Sequence, residues 1–336
     1  YNSFKVSYSE TLEDANIDVV FTNLNPLPDS NVLYSPFWRT FMQIWGEPKS
    51  GWIKTPFFGE KTAIRSVLKV LNFKANHRKV MVVDSGDSML SFVISANPSG
   101  SGSTHSNIGF VVEGAIHDDV IASEEAIAKL SGHDGFDWDI GSIRGNDDGD
   151  SSVTFITEGK IKENVLEAIS ETKAGDEIML AMFYFGERDI MAELISAHNR
   201  GVEVRIIFDP SKTGFGRDKF GVPSRAAAYE LKEDTNHGID IRYYKTREEQ
   251  FHTKLLLIES DDTITMIGGS ANYTRRNINS LNMEANVMIT SPVNTKLSKD
   301  VIFLCIGPQC FFILFHFHTF FFSFFFSHHA CFRILF

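Results

Sequence analysis

Two histidine–lysine pairs recur in this 336-residue chain. His77-Arg78-Lys79 is followed by Asp84, and His252-Thr253-Lys254 is followed by Glu259, each carboxylate seven residues after its His. Eleven residues on, a Ser-x-Asn follows each carboxylate, Ser95 with Asn97 and Ser270 with Asn272. A third echo lies ten residues beyond each Asn, in Asn107-Ile108-Gly109 and Asn282-Met283-Glu284. A lone His-x-Lys would be chance in a chain of this length, but two copies with matching downstream spacings are not. A phosphorus centre that carries negative charge resists nucleophiles, so cations and donors at fixed positions favour attack on it most. Lys79 and Lys254 supply charge, and the Ser and Asn side chains supply donors. One imidazole can attack while the other protonates the leaving alcohol and deprotonates the incoming one. With two histidines in different roles, the chemistry calls for neither a metal nor a cofactor. Each imidazole needs a partner to fix its tautomer, and the spacing leaves open whether Asp84 and Glu259 act directly.

The elements that must position these groups are strands. Val80 to Val83 and Leu255 to Ile258 are short apolar runs of buried-strand type, and two strands would carry His, Lys, Ser and Asn to one sheet end. In the second half Ile161 to Thr172, Asp189 to Asn199 and Ser224 to Glu233 read as helices. Glu177 to Phe185, Val202 to Phe208 and Ile239 to Tyr244 read as strands, with Gly201 at a helix C-cap. Ile17-Asp18-Val19-Val20 matches Ile239-Asp240-Ile241-Arg242, and Tyr8 to Asp14 matches the helix before it. The first repeat therefore opens late, and the counterpart of roughly residues 159 to 225 is missing from it. The expected division is 1–130 for the C-terminal part of a first repeat, 131–155 for an acidic linker, 156–302 for a second repeat and 303–336 for a tail.

At these residues the chain resembles the phospholipase D superfamily, whose signature is HxKxxxxD followed by GSxN, present twice. The stretch Asn72-Phe73-Lys74-Ala75-Asn76-His77-Arg78-Lys79 resembles the bacterial cardiolipin synthase and phospholipase branch. The resemblance implies an α/β fold, a phospholipase D-like pseudo-twofold pair of repeats, each a mixed sheet flanked by helices, with the active site at the seam. It also implies transfer or hydrolysis of a phosphatidyl group through a covalent phosphohistidine, with His77 as nucleophile and His252 as general acid. The catalytic set is then His77, Lys79, Asp84, Ser95, Asn97, His252, Lys254, Glu259, Ser270 and Asn272, with Asn107, Arg275, Arg276, Asn282 and Glu284 on the substrate. Two departures are visible: Glu259 stands for the family's Asp, and Ile94 precedes Ser95 where the second copy has Gly268-Gly269.

An insertion, about residues 25 to 70, separates the first strand from His77. It holds Trp38, Trp45 and Trp52 with Phe37, Phe41, Phe57 and Phe58, broken by Pro36, Pro48 and Pro56. Such aromatics suit a membrane interface or a lipid-chain pocket. Filling of the core beside the seam is the preferred reading, because the prolines forbid one long amphipathic helix. The acidic run Asp134, Asp137, Asp139, Asp147-Asp148-Gly149-Asp150 lacks the full calcium-loop pattern and reads as solvated linker. Arg275-Arg276 fits either a headgroup or second phosphate, or a solvated pair at a helix start. From Phe303 the chain holds 13 of its 30 Phe and all three Cys, which reads as a frameshift or read-through tail rather than an anchor. A Cys-free body before it gives no disulfide framework.

Composition separates the function classes. A nuclease usually presents a basic face, whereas this chain has 43 acidic against 32 basic residues. A lipid phosphodiesterase or phosphatidyltransferase is favoured, with a phospholipid and a membrane surface as partners, water or an alcohol as acceptor, and nucleic acid disfavoured. A nuclease with the same half-sites is the alternative, and both intact His-Lys pairs argue against a catalytically dead scaffold. The expected setting is membrane-associated or exported in a bacterium; oligomeric state is not readable.

Overall fold

The computed structural model describes residues 9–46, 51, 53–54, 61–86, 88–98, 105–136, 149–210, 213–214, 217–218, 220–246, 249–299 and 334–335. The expectations for Trp52, Phe57, Phe58, Pro48, Pro56, Asp137, Asp139, Asp147, Asp148 and nearly all of the tail lie outside the described residues.

The first repeat supplies three antiparallel strands, β1 (Val80–Ser85), β2 (Ser88–Ile94) and β3 (Gly109–Glu113), in that order. Helix α1 (Ile64–Val70) precedes them and α2 (Ile116–Leu130) follows. The second repeat runs β4 (Ser152–Thr157), α3 (Gly159–Ser170), β5 (Glu177–Met182), α4 (Arg188–Asn199), β6 (Glu203–Phe208), α5 (Ser224–Asp234), β7 (Asp240–Tyr243), β8 (Lys254–Glu259), β9 (Thr263–Gly269) and β10 (Ala285–Pro292). Its strands form one sheet in the order β7-β6-β5-β8-β9-β10-β4. β5, β6 and β7 are parallel, joined by helical crossovers, and the other pairings are antiparallel. The expected α/β architecture is present: the second repeat has its full mixed sheet, and the first is represented by the three strands that carry its motifs. Gly201 closes α4 at φ +92°, with Val202 N–H donating to Ala197 O, as the sequence predicts.

Strand β8 shows why its sequence is continuously apolar. Leu256 and Ile258 point into a core with α3, α4 and α5, which supply Ile161, Ile190, Leu194 and Leu231. Leu255 and Leu257 point the other way, onto Val93, Ile108, Ile116 and Val120 of the first repeat. With both faces covered, the period-two alternation of a half-exposed strand disappears. The sheets thus pack face to face, and the strand ends that carry the His-Lys pairs meet at their shared edge. Truncating fully buried Leu257 to Ala would cost roughly 2–5 kcal/mol through lost packing between the repeats.

Candidate active site

Backbone pairing across the seam sets the two histidines. His77 N–H donates to Met283 O at 2.9 Å, and Met283 N–H donates to Ala75 O at 3.0 Å. In the mirrored half Ser106 N–H donates to Gln250 O at 2.9 Å, and Ser106 pairs with Phe251 as Met283 pairs with Asn76. Each repeat therefore holds the other's histidine.

What differs is the side chain that arrives. His77 Nδ1 lies 2.9 Å from Glu284 Oε2, and His252 Nδ1 lies 3.0 Å from Asn107 Oδ1. Asn107 Nδ2 donates to His105 O, so its carbonyl oxygen is the end that faces His252. Both rings then keep a proton on Nδ1 and leave Nε2 free for chemistry. This answers one question the spacing left open and corrects one expectation. Asp84 and Glu259 do not orient the imidazoles: an extended strand rises about 3.3 Å per residue, so each lies at the far end of β1 or β8. Asn107 and Glu284, expected on the substrate, do the orienting instead.

The third echo also shifts. Ser95 N–H donates to Ile108 O and Ser270 N–H to Ala285 O, so Asn107 corresponds to Glu284, not to Asn282. The connection after Ser95 is two residues shorter, which the sequence alignment hid. The same shift explains Ile94. It pairs with Gly109, where an added Cβ would sit 2.8 Å from Ile94 Cγ2, while its counterpart Gly269 pairs with Asn286. The bulk has changed strands between the copies.

Ser95 Oγ donates to Asn107 Oδ1 and accepts from Ile108 N–H. Ser270 Oγ donates to Glu284 Oε2 at 2.5 Å and accepts from Ala285 N–H. The expected role of these hydroxyls as donors to a phosphate is thereby corrected, since their protons hold the groups that hold the histidines. Asn282 Oδ1 accepts Ala75 N–H at 3.0 Å, which makes it a backbone tie rather than a substrate contact. Asn272 is buried, with Tyr184 N–H on its Oδ1, whereas Asn97 is exposed.

Lys79 and Lys254 each turn Nζ onto the carbonyl of their own motif His, at 2.6 and 2.7 Å. Burial pushes Lys79 down to about 8, against the pull of Glu284. Fully buried Lys254 is pushed well below the usual lysine range by burial and then by Lys79. Burial also lowers both histidines. Glu284 partly offsets this for His77, while Lys254, Lys79, His77 and His105 add to it for His252. Glu284 is fully buried, which disfavours its charge, but His77, Lys79 and Ser270 outweigh this and hold it ionised below the usual range. Two lysines and two imidazoles meet the carboxylates of Glu284 and Asp209 here, and an anion placed among them would favour the charged forms of the cations.

Sequence reasoning missed Arg78. Its guanidinium forks onto Glu158 at 2.6 and 2.7 Å and reaches Glu124 at 3.1 Å and Ser123 at 2.7 Å, binding the first motif to α2 and to the turn before α3. The residue between His and Lys is the one that faces away from them, a signal that period-two reading could have caught. Beside the centre lies a pocket of about 400 Å³ whose lining includes Tyr184, Thr274, Arg275, Arg276 and Asn277. Arg276 sits 4.4 Å over the Phe73 ring, and Asn277 Nδ2 donates to Glu284 Oε1, which joins this pocket to His77.

Residues 165–302 match the family model described as cardiolipin synthase, PLD-like domain. These residues, all in the second repeat, form a phospholipase D-like domain. The chain is similar to Nuc, a phospholipase D family member from Salmonella typhimurium, at 25% identity over 45% of this chain and 90% of that one, with TM-score 0.35. It is similar to phosphatidylserine synthase from Haemophilus influenzae Rd KW20 at 12% identity, 68% and 60% coverage and TM-score 0.46. Similarity to polyphosphate kinase from Porphyromonas gingivalis is 13%, over 73% of this chain and 36% of that one, at TM-score 0.42. No curated protein matches the chain. Members of the phospholipase D superfamily are phosphodiesterases and transferases, and the geometry of the two half-sites suits that chemistry.

Proposed function

We propose that the chain transfers or hydrolyses the phosphatidyl group of glycerophospholipids. His77 Nε2 attacks phosphorus, the P–O bond to the headgroup alcohol breaks, and protonated His252 gives that oxygen its proton. Neutral His252 then takes a proton from water or an acceptor alcohol, whose oxygen displaces His77 from phosphorus. Lys79 and Lys254 balance charge on the phosphoryl oxygens. Burial, and then the nearby cations, lower the pKa of His252, and the negative charge of a bound diester supplies the opposite pull that allows it to be protonated.

The observation that carries the lipid reading is an exposed apolar surface beside the site. Leu33 is 88% exposed, Ile44 72% and Trp45 68%, with Phe37 and Phe41 also exposed and only Trp38 buried among the described tryptophans of the insertion. Ile64, Val67 and Val70 along α1 and Leu71 at its end turn outward too, and Phe73 continues the surface to Arg276. Arg65 donates to Trp45 O and Asn31 to Leu71 O, which ties the segments together. The expectation that these aromatics fill the core is therefore corrected for Phe37, Phe41 and Trp45. Apolar surface of this extent suits contact with acyl chains or a bilayer surface, and the Arg275-Arg276 pocket suits an anionic headgroup or second phosphate. Among the described residues no helix is long and apolar enough to cross a membrane. The matching family model, named for cardiolipin synthase, supports the same reading.

The test incubates the protein with anionic phospholipid vesicles and, separately, with single-stranded DNA, each with chelator present, and identifies products by mass spectrometry. Phosphatidic acid or cardiolipin that disappears with His77→Ala is the expected result. Cleaved DNA with untouched lipid would make the protein a nuclease, and a requirement for added metal would overturn the two-histidine mechanism.

A further inference from the structure

A third imidazole stands at the seam. His105 Nδ1 accepts Gln250 N–H at 3.1 Å, two residues before His252. Its counterpart across the pseudo-twofold is Asn282, whose Oδ1 accepts Ala75 N–H at 3.0 Å, two residues before His77. The backbone tie needs only an acceptor, and an amide provides it in the other half. An imidazole at the same place brings a second nitrogen that the tie does not use.

That nitrogen has a fixed state. With Nδ1 accepting, the neutral ring carries its proton on Nε2, and a second proton would turn Nδ1 into a donor facing a donor. The surroundings agree. Burial and then Lys254 lower the pKa of His105, and Glu249 opposes them. The ring centroid lies 6.2 Å from that of His252, the planes tilted by 43°. Two imidazoles that each make a hydrogen bond of about 2.9 Å to one shared oxygen place their centroids on the order of 6 Å apart.

Resting on the phosphodiester reading above, we propose that His105 is a further residue of the active site, whose Nε2–H donates to the alcohol or water oxygen with which His252 exchanges a proton. It would orient that oxygen's lone pair and stabilise charge on it as the bond to phosphorus breaks or forms. His252 moves the proton and His105 keeps its own, so the exchange is balanced without an outside reactant. The donor lies on one side of the pseudo-twofold alone, the side of the proposed acid.

The test compares His105→Asn with wild type on two soluble diesters in single turnover. One is bis(p-nitrophenyl) phosphate, whose leaving oxygen needs no proton. The other has an alkyl alcohol to expel, dihexanoylphosphatidylglycerol or thymidylyl thymidine, whichever the wild type cleaves. His105→Asn retains an acceptor for Gln250 N–H, as Asn282 does for Ala75, and His105→Ala removes it. The expected result is release of the alkyl alcohol slowed about tenfold to a hundredfold in His105→Asn, with KM little changed and nitrophenol release slowed far less. Equal rates for His105→Asn and wild type on both esters would overturn the proposal and leave His105 as a backbone tie, the more so if His105→Ala alone is impaired. Equal slowing of both esters would also overturn it. A wild type inert toward every diester would instead defeat the phosphodiester reading, and this inference with it.

Discussion

The two half-sites share a backbone and differ in one charge. Glu284 reaches His77 and Asn107 reaches His252 from equivalent positions, each held by a serine hydroxyl and each accepting a hydrogen bond from Nδ1–H. A carboxylate beside Nδ1 stabilises the positive charge that an imidazole acquires when Nε2 bonds to phosphorus. An amide gives the same orientation with little such stabilisation, so the protonated ring it holds is a stronger acid. The difference breaks a tie that the repeated motifs leave open. It supports His77 as the nucleophile and His252 as the proton carrier, the assignment on which the proposed mechanism rests.

The largest expected effect tests that division directly. His77→Ala and His252→Ala should each lower turnover of an alkyl diester by on the order of 10³-fold or more. With bis(p-nitrophenyl) phosphate the two should part. His252→Ala still releases one equivalent of nitrophenol and accumulates a phosphorylated His77, detected by mass spectrometry, whereas His77→Ala releases none. A phosphorylated His252 in the wild type would reverse the roles.

Exchange of the partners comes next. Glu284→Gln should lower kcat by roughly 10- to 100-fold. Glu284 raises the pKa of His77, so its loss lowers that pKa further, and the acid limb of the rate profile should move to lower pH. Asn107→Asp should do the opposite on the other side: it raises the pKa of His252 and moves the alkaline limb to higher pH. Equal responses of both limbs to both variants would mean that the half-sites are interchangeable.

Much of this was legible in the sequence. Strands β5 to β8 and the helices of the second repeat follow from apolar runs and periodicity, and the His-Lys pairs follow from their own spacing. What was not legible is everything that crosses the seam. Glu284 lies 207 residues from His77 in sequence, and no local pattern records which partner a buried carboxylate finds. The two-residue offset before Asn107 made Asn282 look like its counterpart, and only the serine–backbone pairing removes that ambiguity. The outward-facing aromatics of the insertion were misread because prolines exclude one long helix but not a folded apolar surface.

Lys79 gives a smaller effect with a defined pH. Its pKa is lowered to about 8, below its unfolded value, so the ammonium is present below that pH and is lost as pH rises through it. Binding of vanadate, followed by calorimetry, should weaken about tenfold per cation lost as pH rises from 7 to 9, with the transition displaced upward in the complex. In the free protein the same shift makes the unfolded chain bind more protons between pH 8 and 10, so stability should rise with pH across that window. Lys79→Met should flatten both curves; a vanadate affinity independent of pH would remove Lys79 from anion binding.

The smallest effect belongs to the carboxylates that make the motifs recognisable. Asp84 is exposed at the hairpin end of β1, and Glu259 lies opposite Glu177 on β5, both strand-lengths away from the imidazoles. Asp84→Asn should leave kcat within about twofold and stability within about 0.5 kcal/mol. Glu259→Gln should leave kcat equally unchanged. It should also leave stability unchanged or raise it slightly, because it relieves a like-charge pair across adjacent strands whose other member, Glu177, already has Arg205. A loss of turnover in either variant comparable to that of Glu284→Gln, with the protein still folded by circular dichroism, would mean that charge at the far strand end reaches the histidines. The contrast between Glu284 and Asn107 would then no longer suffice to distinguish the two half-sites.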